Sequence, residues 1–332
     1  MAFDTLRFKT TQPLSSSLEL RLHVDVGSLH EANGEEGIAH YLEHMAFQSL
    51  RSYSGDELFP LMQRLGIDAF GKHSNAYTDY TETVYRLSLP DTDHETITAC
   101  FTLMRDYTDG MLLLESELEI EMGVVLSELQ DTETVEDQFS WSFPDYLISK
   151  RWLIGLEESI QKFIRQQFLD FYQDYYIPRR TTLIVVGDMN ATSMEDLITK
   201  FFDSMEDAGP LGKPVEVGNT SSGKGLRTAV FEDEGLEGDE LYLEVVKPGV
   251  GAPDSAAGRI ERIQLHVCNR IASERLQSYG YDDYSAISWG GAYIDSWYNI
   301  FELGAIWVAP QLVGSLSSDC NPRTGGPTGA AV

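Results

Sequence analysis

The chain has 332 residues, 24 basic and 53 acidic, for a formal charge of −29. That balance argues against nucleic acid or an anionic membrane surface as a partner, and is read either as solubility or as attraction of basic peptides. The length suggests about two domains, and Cys100, Cys268 and Cys320 are too few and scattered for a disulfide framework or a thiolate metal site.

Met1 to Pro13 lacks the apolar core of a signal peptide, and no stretch is long enough to span a bilayer, so a soluble chain is expected. A strand is predicted over Leu18–Val26. An amphipathic segment follows from Glu36 to Leu50, where Ile38, Leu42, Met45, Ala46 and Leu50 recur at helical spacing and point inward. On a helical wheel His40, Glu43, His44 and Phe47 group on the other side. Next come a helix near Gly55–Leu65 and a strand pair across Ile67–Leu89, alternating with period two from Asn75. Helices are predicted around His94–Tyr107, from Leu114 to Leu129 and over Ile160–Tyr175. A strand, Thr182–Gly187, and a helix, Ser193–Ser204, close the first domain.

Residues 208–225, rich in Gly, Pro and Ser, read as a linker. Beyond it lie a strand, Tyr242–Val246, and an amphipathic helix, Arg259–Leu276. The tail, residues 313–332, reads as disordered. Strands interleaved with helices and joined by hairpins imply an α+β fold, an antiparallel sheet with helices packed on one side. The domains are therefore 1–207 and 226–312.

The segment His40-Tyr41-Leu42-Glu43-His44 carries the chemistry: two imidazoles one helical turn apart with a carboxylate between them, an inverted zinc-protease signature. Neutral imidazole suits zinc, and residues i and i+4 can reach one ion. A catalytic zinc takes three protein ligands and keeps a fourth position for water. Glu43 beside that water would act as general base. Several glutamates compete to be the third ligand. Leu114, Leu118, Met122, Val125 and Leu129 form the apolar stripe of their helix, with Glu117, Glu121 and Glu128 on one flank and Glu119 and Glu115 on the other.

From Val24 to Asp188 the chain resembles the catalytic N-terminal unit of the insulinase/pitrilysin family, the M16 metallopeptidases. The likeness rests on six landmarks in order. These are Val26-Gly27-Ser28 with Glu31 and Gly37-Ile38-Ala39; the His40–His44 signature with Met45-Ala46-Phe47; Asn75-Ala76-Tyr77-Thr78 with Thr83-Val84-Tyr85; Glu119-Ile120-Glu121-Met122-Gly123-Val124-Val125; Ile154 to Ile160; and Tyr176-Ile177-Pro178 with Val185-Val186-Gly187-Asp188. Residues from Leu226 to about Ala309 resemble the opening of the family's second, metal-free domain, so the fold is expected to repeat as a second, incomplete domain.

The resemblance implies one Zn²⁺ per chain held by His40, His44 and Glu119, with Glu121 as the fallback ligand and Glu115 as a supporting group behind Glu119. Glu43 would activate a zinc-bound water. Asn75, Ala76, Tyr77 and Thr78 would form the edge strand that binds substrate. The implied activity is a zinc-dependent endopeptidase acting on short or unfolded peptides; the alternative is a non-catalytic subunit or fragment that binds peptides or a partner half. Family members close a second half over the peptide, in a homo-oligomer or as a separate subunit, and it supplies Arg and Tyr side chains to the reacting carbonyl. No positions here match those residues.

Overall fold

Leu18, Leu20, Leu22 and Val24 are buried while Glu19, Arg21 and His23 between them are not, and this two-residue period fixes which face of the first strand meets the core. A computed structural model describes residues 18–68, 71–130, 140–144, 146–205, 217, 225–231, 238–249, 255–281, 285–297 and 300–311. The chain divides into two compact units between residues 231 and 232.

In the first unit β1 (Leu18–Val24) lies between β3 (Thr83–Leu89) and β4 (Thr181–Gly187), and β2 (Ser74–Thr78) ends the sheet beyond β3. The order β2-β3-β1-β4 is antiparallel throughout, with Leu22 opposite Tyr85 on one side and Leu183 on the other. The helices are α1 (Ile38–Met45), α2 (Gly55–Arg64), α3 (His94–Asp109), α4 (Glu115–Gln130), α5 (Arg165–Tyr175) and α6 (Ala191–Phe202). The inward face of the sheet joins Ile38, Tyr41 and Leu42 of α1, Phe101, Leu103 and Met104 of α3, Leu118 and Val125 of α4 and Phe168 of α5 in one core. This is an α+β layer, as the interleaved pattern implies.

The segment leading into α1 is held by a dense set of polar contacts. Glu31 accepts hydrogen bonds from the Gly37 and Ala39 amides at 3.0 Å each, satisfying donors that a helix start leaves open. Arg151 reaches the Glu31 carbonyl at 3.0 Å and the Glu36 carboxylate at 3.4 Å. Gly37 has φ +100°, and a Cβ there would lie 2.4 Å from the Ile154 carbonyl oxygen. Only glycine fits, because the backbone conformation and the close approach both exclude a side chain.

In the second unit β5 (Leu241–Pro248), β7 (Phe301–Pro310) and β6 (Ile287–Trp297) form an antiparallel sheet in the order β5-β7-β6. α7 (Ala256–Tyr279) packs on β6. Asn269 of α7 both donates to the Ile294 carbonyl at 2.8 Å and accepts from its amide at 2.9 Å.

Several sequence expectations change. α1 stops at Met45, well short of Leu50, because the chain turns after Ala46. Phe47 consequently leaves the helical wheel and packs in the core, its ring 6.2 Å from that of Tyr107, rather than standing beside the histidines. The helix foreseen over Ile160–Tyr175 is a single turn, Glu157–Ile160, followed by α5. β6 and β7 are additional to the sequence reading. The linker falls almost wholly outside the described residues, and the tail lies outside them. Among the described residues, no helix is long and apolar enough to cross a membrane.

Candidate metal centre

α1 places its two histidines on the side that meets α4, and it also packs against β2. The rings of His40 and His44, one turn apart, are 4.6 Å between centroids. Glu128, near the end of α4, completes a cluster in which His40 Nε2 lies 3.7 Å and His44 Nε2 3.5 Å from Glu128 Oε2. One donor atom from each residue lies within 4.8 Å of the others.

This arrangement overturns the expected placement of Glu119 beside the histidines. A helix turns about 100° per residue, so Glu119 and Glu128, nine positions apart, stand on roughly opposite sides of α4. Burial of Leu118 and Val125 fixes which flank meets α1. Glu119 and Glu115 instead border a hollow of about 200 Å³ shared with Tyr41, Phe163 and Phe168. Glu121, seven positions before Glu128 and therefore on the same flank, meets His44 from its other nitrogen: Nδ1 to Oε1 is 2.8 Å. Gln48 donates to the second oxygen of Glu121 at 2.8 Å.

The donor set fits a zinc ion. Two ligand atoms each about 2.0–2.1 Å from a shared tetrahedral ion lie about 3.3–3.4 Å apart, close to the 3.5 and 3.7 Å observed here. Glu121 accepts from Nδ1–H of His44, which leaves Nε2 as the nitrogen that faces Glu128 and would meet an ion there. His40 Nδ1 is buried without a hydrogen-bond partner among the described residues, so its Nε2 is the nitrogen that faces company.

The side chains also set each other's charge. Burial, and then the charge on His44, hold His40 down at about 4, which keeps its imidazole neutral. Burial works against a charged His44, but its hydrogen bonds to Glu121 and Glu128 outweigh that and raise it to about 9. Glu128 is held low, first by its hydrogen bond to His44. Glu43 is only 7% exposed, and burial lifts its carboxyl to about 7 against the pull of a hydrogen bond from Thr78 and the charge of His44. A buried carboxyl near neutrality beside a three-donor cluster is suited to moving protons.

Of the residues expected to bind substrate, Asn75 and Tyr77 project from the exposed side of β2. Ala76 packs on the core. Thr78 is buried and donates to Glu43 Oε2 at 2.8 Å.

Two family models match adjoining stretches: residues 9–152 match the insulinase family (peptidase family M16), and residues 162–261 match the peptidase M16 inactive domain. Together they take in more than half of the chain. The chain belongs to the M16 peptidase family.

Among its M16 relatives, the probable zinc protease PqqL of Escherichia coli (strain K12) is 28% identical over 271 residues, covering 79% of this chain and 29% of that protein. The chloroplastic stromal processing peptidase of Pisum sativum is 34% identical over 179 residues, covering 52% of this chain and 13% of its own length. The chain thus spans less than a third of the length of these two relatives. The crystal structure of the first half of the periplasmic protease PqqL from Escherichia coli superposes with a TM-score of 0.76 at 24% identity, covering 89% of this chain and 64% of that one. A protease from Helicobacter pylori gives 0.72 at 23% identity, covering 90% and 71%. At these identities the two structures establish the M16 fold.

Proposed function

We propose that this chain is the catalytic unit of a zinc endopeptidase hydrolysing short or unfolded peptides. One observation carries the reading: His40 Nε2, His44 Nε2 and Glu128 Oε2 converge on the same side of α1 as the buried Glu43. These three side chains would hold one Zn²⁺, which when bound polarises a peptide carbonyl and acidifies a water. Glu121 would orient His44 from behind, as outer carboxylates do for ligating imidazoles. Glu43 would take the proton of the attacking water and hand it to the leaving amine.

Substrate would add to β2, which ends its sheet and packs against α1. A peptide pairing there gains main-chain hydrogen bonds and little sequence preference. Asn75 and Tyr77 would be the side chains it meets on the exposed face, and the acidic balance of the chain favours basic peptides.

Full activity would need a second M16 half, from a further copy or a separate subunit, to enclose the peptide and stabilise the oxyanion. Missing one oxyanion donor typically costs about 10²–10³ in kcat. The isolated chain is therefore expected to be a weak peptidase that a second half accelerates without changing its zinc content.

The test is metal analysis together with a quenched-peptide assay, on the parent and on Glu43→Gln. One zinc per chain in both, with hydrolysis only in the parent, supports the reading. Absence of zinc removes it. A zinc-loaded parent that binds peptides yet never cleaves them, even with a second half, selects the non-catalytic subunit instead.

A further inference from the structure

We infer that Thr78 is a positioning residue for the Glu43 carboxylate and not a peptide contact, an inference that rests on Glu43 being the base. β2 alternates strictly: Ser74 and Thr78 are buried while Asn75 and Tyr77 are exposed. The side chain of Thr78 therefore points to the inner face of the strand, where α1 lies. Thr78 and Glu43 are 8% and 7% exposed, and no other side chain donates to Glu43 among the described residues.

The Thr78 hydroxyl has one proton to give. Its candidate acceptors are Glu43 Oε2 at 2.8 Å and Thr83 Oγ1 at 3.4 Å. Hydrogen bonds to a carboxylate are shorter and roughly twice as strong as neutral ones, so the proton goes to Glu43. Thr83, across the β2–β3 hairpin, has its own proton committed to the Val26 carbonyl at 2.9 Å. It has none left to offer Thr78, so neither hydroxyl donates to the other and the Thr78 proton is directed to Glu43 alone.

This direction decides which oxygen of Glu43 works. Oε2 is engaged as an acceptor, so Oε1 is left to receive the proton of the attacking water. The O–H bond of that water breaks and an Oε1–H bond forms as the water oxygen bonds the peptide carbonyl carbon; the proton then passes from Oε1 to the amide nitrogen as its C–N bond breaks. Throughout, Thr78 keeps donating to Oε2, so the proton is barred from settling on the oxygen that faces the protein interior. Without the hydroxyl the carboxylate is free to rotate and to hold its proton on the unproductive side.

The test compares Thr78→Val, which removes the hydroxyl at constant shape, with Thr78→Ser, which keeps it. Each is made in the full chain, alone and with Glu43→Gln. Partners standing behind a catalytic group typically contribute about 10–100-fold. Thr78→Val should lower kcat by that factor with KM and zinc stoichiometry unchanged, Thr78→Ser should stay within about threefold of the parent, and Thr78→Val should cost nothing further once Glu43 is Gln. Parental kcat in Thr78→Val overturns the inference. So does a raised KM at constant kcat, which would mark a peptide contact, or a Thr78→Ser variant as impaired as Thr78→Val, which would mark a packing role. If the parent cleaves no peptide even with a second half, the reading of Glu43 as a base fails by itself. The Thr78–Glu43 bond is then judged from unfolding constants of the parent, Thr78→Val, Glu43→Gln and the variant carrying both: coupling beyond about twofold supports it, and additive effects overturn it.

Discussion

The two units of the chain bury their apolar residues very differently. In the first, Leu20, Leu22 and Val24 of β1, Ile38 and Leu42 of α1, and Phe101 and Leu103 of α3 are all at 0% exposure. In the second, α7 has no buried residue, and Ile260, Ile263, Val267 and Ile271, spaced to share one face of it, are 47–64% exposed. Leu241, Leu243 and Val245 of β5 are more than half exposed as well. Burial in the second unit concentrates on β7, at Phe301, Leu303, Ala305 and Ala309.

The contrast locates the chemistry. Catalytic groups must be held to within about 0.5 Å by packed supports, and α1, α4 and β2, which carry every candidate site residue, all attach to the closed core. Nothing of the candidate centre lies in the unit whose apolar faces are open.

The largest effect that could break this contrast is at Glu43. Glu43→Gln should lower kcat by about 10²–10⁴-fold, typical of a lost general base, while keeping its zinc. Near-parental turnover would show that the closed unit does not use this carboxyl.

Next in size is packing. Leu22→Ala should destabilise the first unit by about 2–5 kcal/mol, as large cavities in closed cores do. Ile263→Ala on α7 should stay within about 0.5 kcal/mol, the range of exposed substitutions. Chemical denaturation of both variants checks this, and equal costs would mean the open face of α7 is covered in solution.

Gly37→Ala should also destabilise the first unit, by more than about 1 kcal/mol, because alanine is strained at φ +100° and its Cβ meets the Ile154 carbonyl. Thermal unfolding measures it, and an unchanged midpoint would show that the lead-in to α1 tolerates a side chain.

Smallest is the charge effect. If the −29 recruits substrate, cationic peptides should show a higher kcat/KM than neutral ones. The advantage should shrink as screening shortens from about 30 Å at 0.01 M salt to about 10 Å at 0.1 M. Indifference to salt would leave solubility as the role of the charge.

Much of this was legible in the sequence where the signal was local. His40, Glu43 and His44 sit within one helical turn, so their meeting needs no tertiary information. The strands of the first unit follow from two-residue alternation, as in Leu18 to Val24. The glutamate was harder, because α4 carries acids on both flanks and only packing against α1 decides between them. The seven-residue spacing that puts Glu121 and Glu128 on one face was the usable signal, whereas likeness to a family motif pointed to Glu119, on the flank away from the histidines. β6 was hidden because Gly290 and Gly291 interrupt its alternation. A Cβ at Gly291 would lie 2.7 Å from the Trp307 ring, so the break reflects close packing across the pair.

Zinc stoichiometry of purified Glu128→Gln and Glu119→Gln tests the central claim most directly. Loss of one ligand from a three-ligand site should release the ion. Glu128→Gln is expected to lose its zinc and Glu119→Gln to retain one per chain. Zinc retained in Glu128→Gln and lost in Glu119→Gln would contradict the placement of the metal centre between α1 and the Glu121–Glu128 flank of α4.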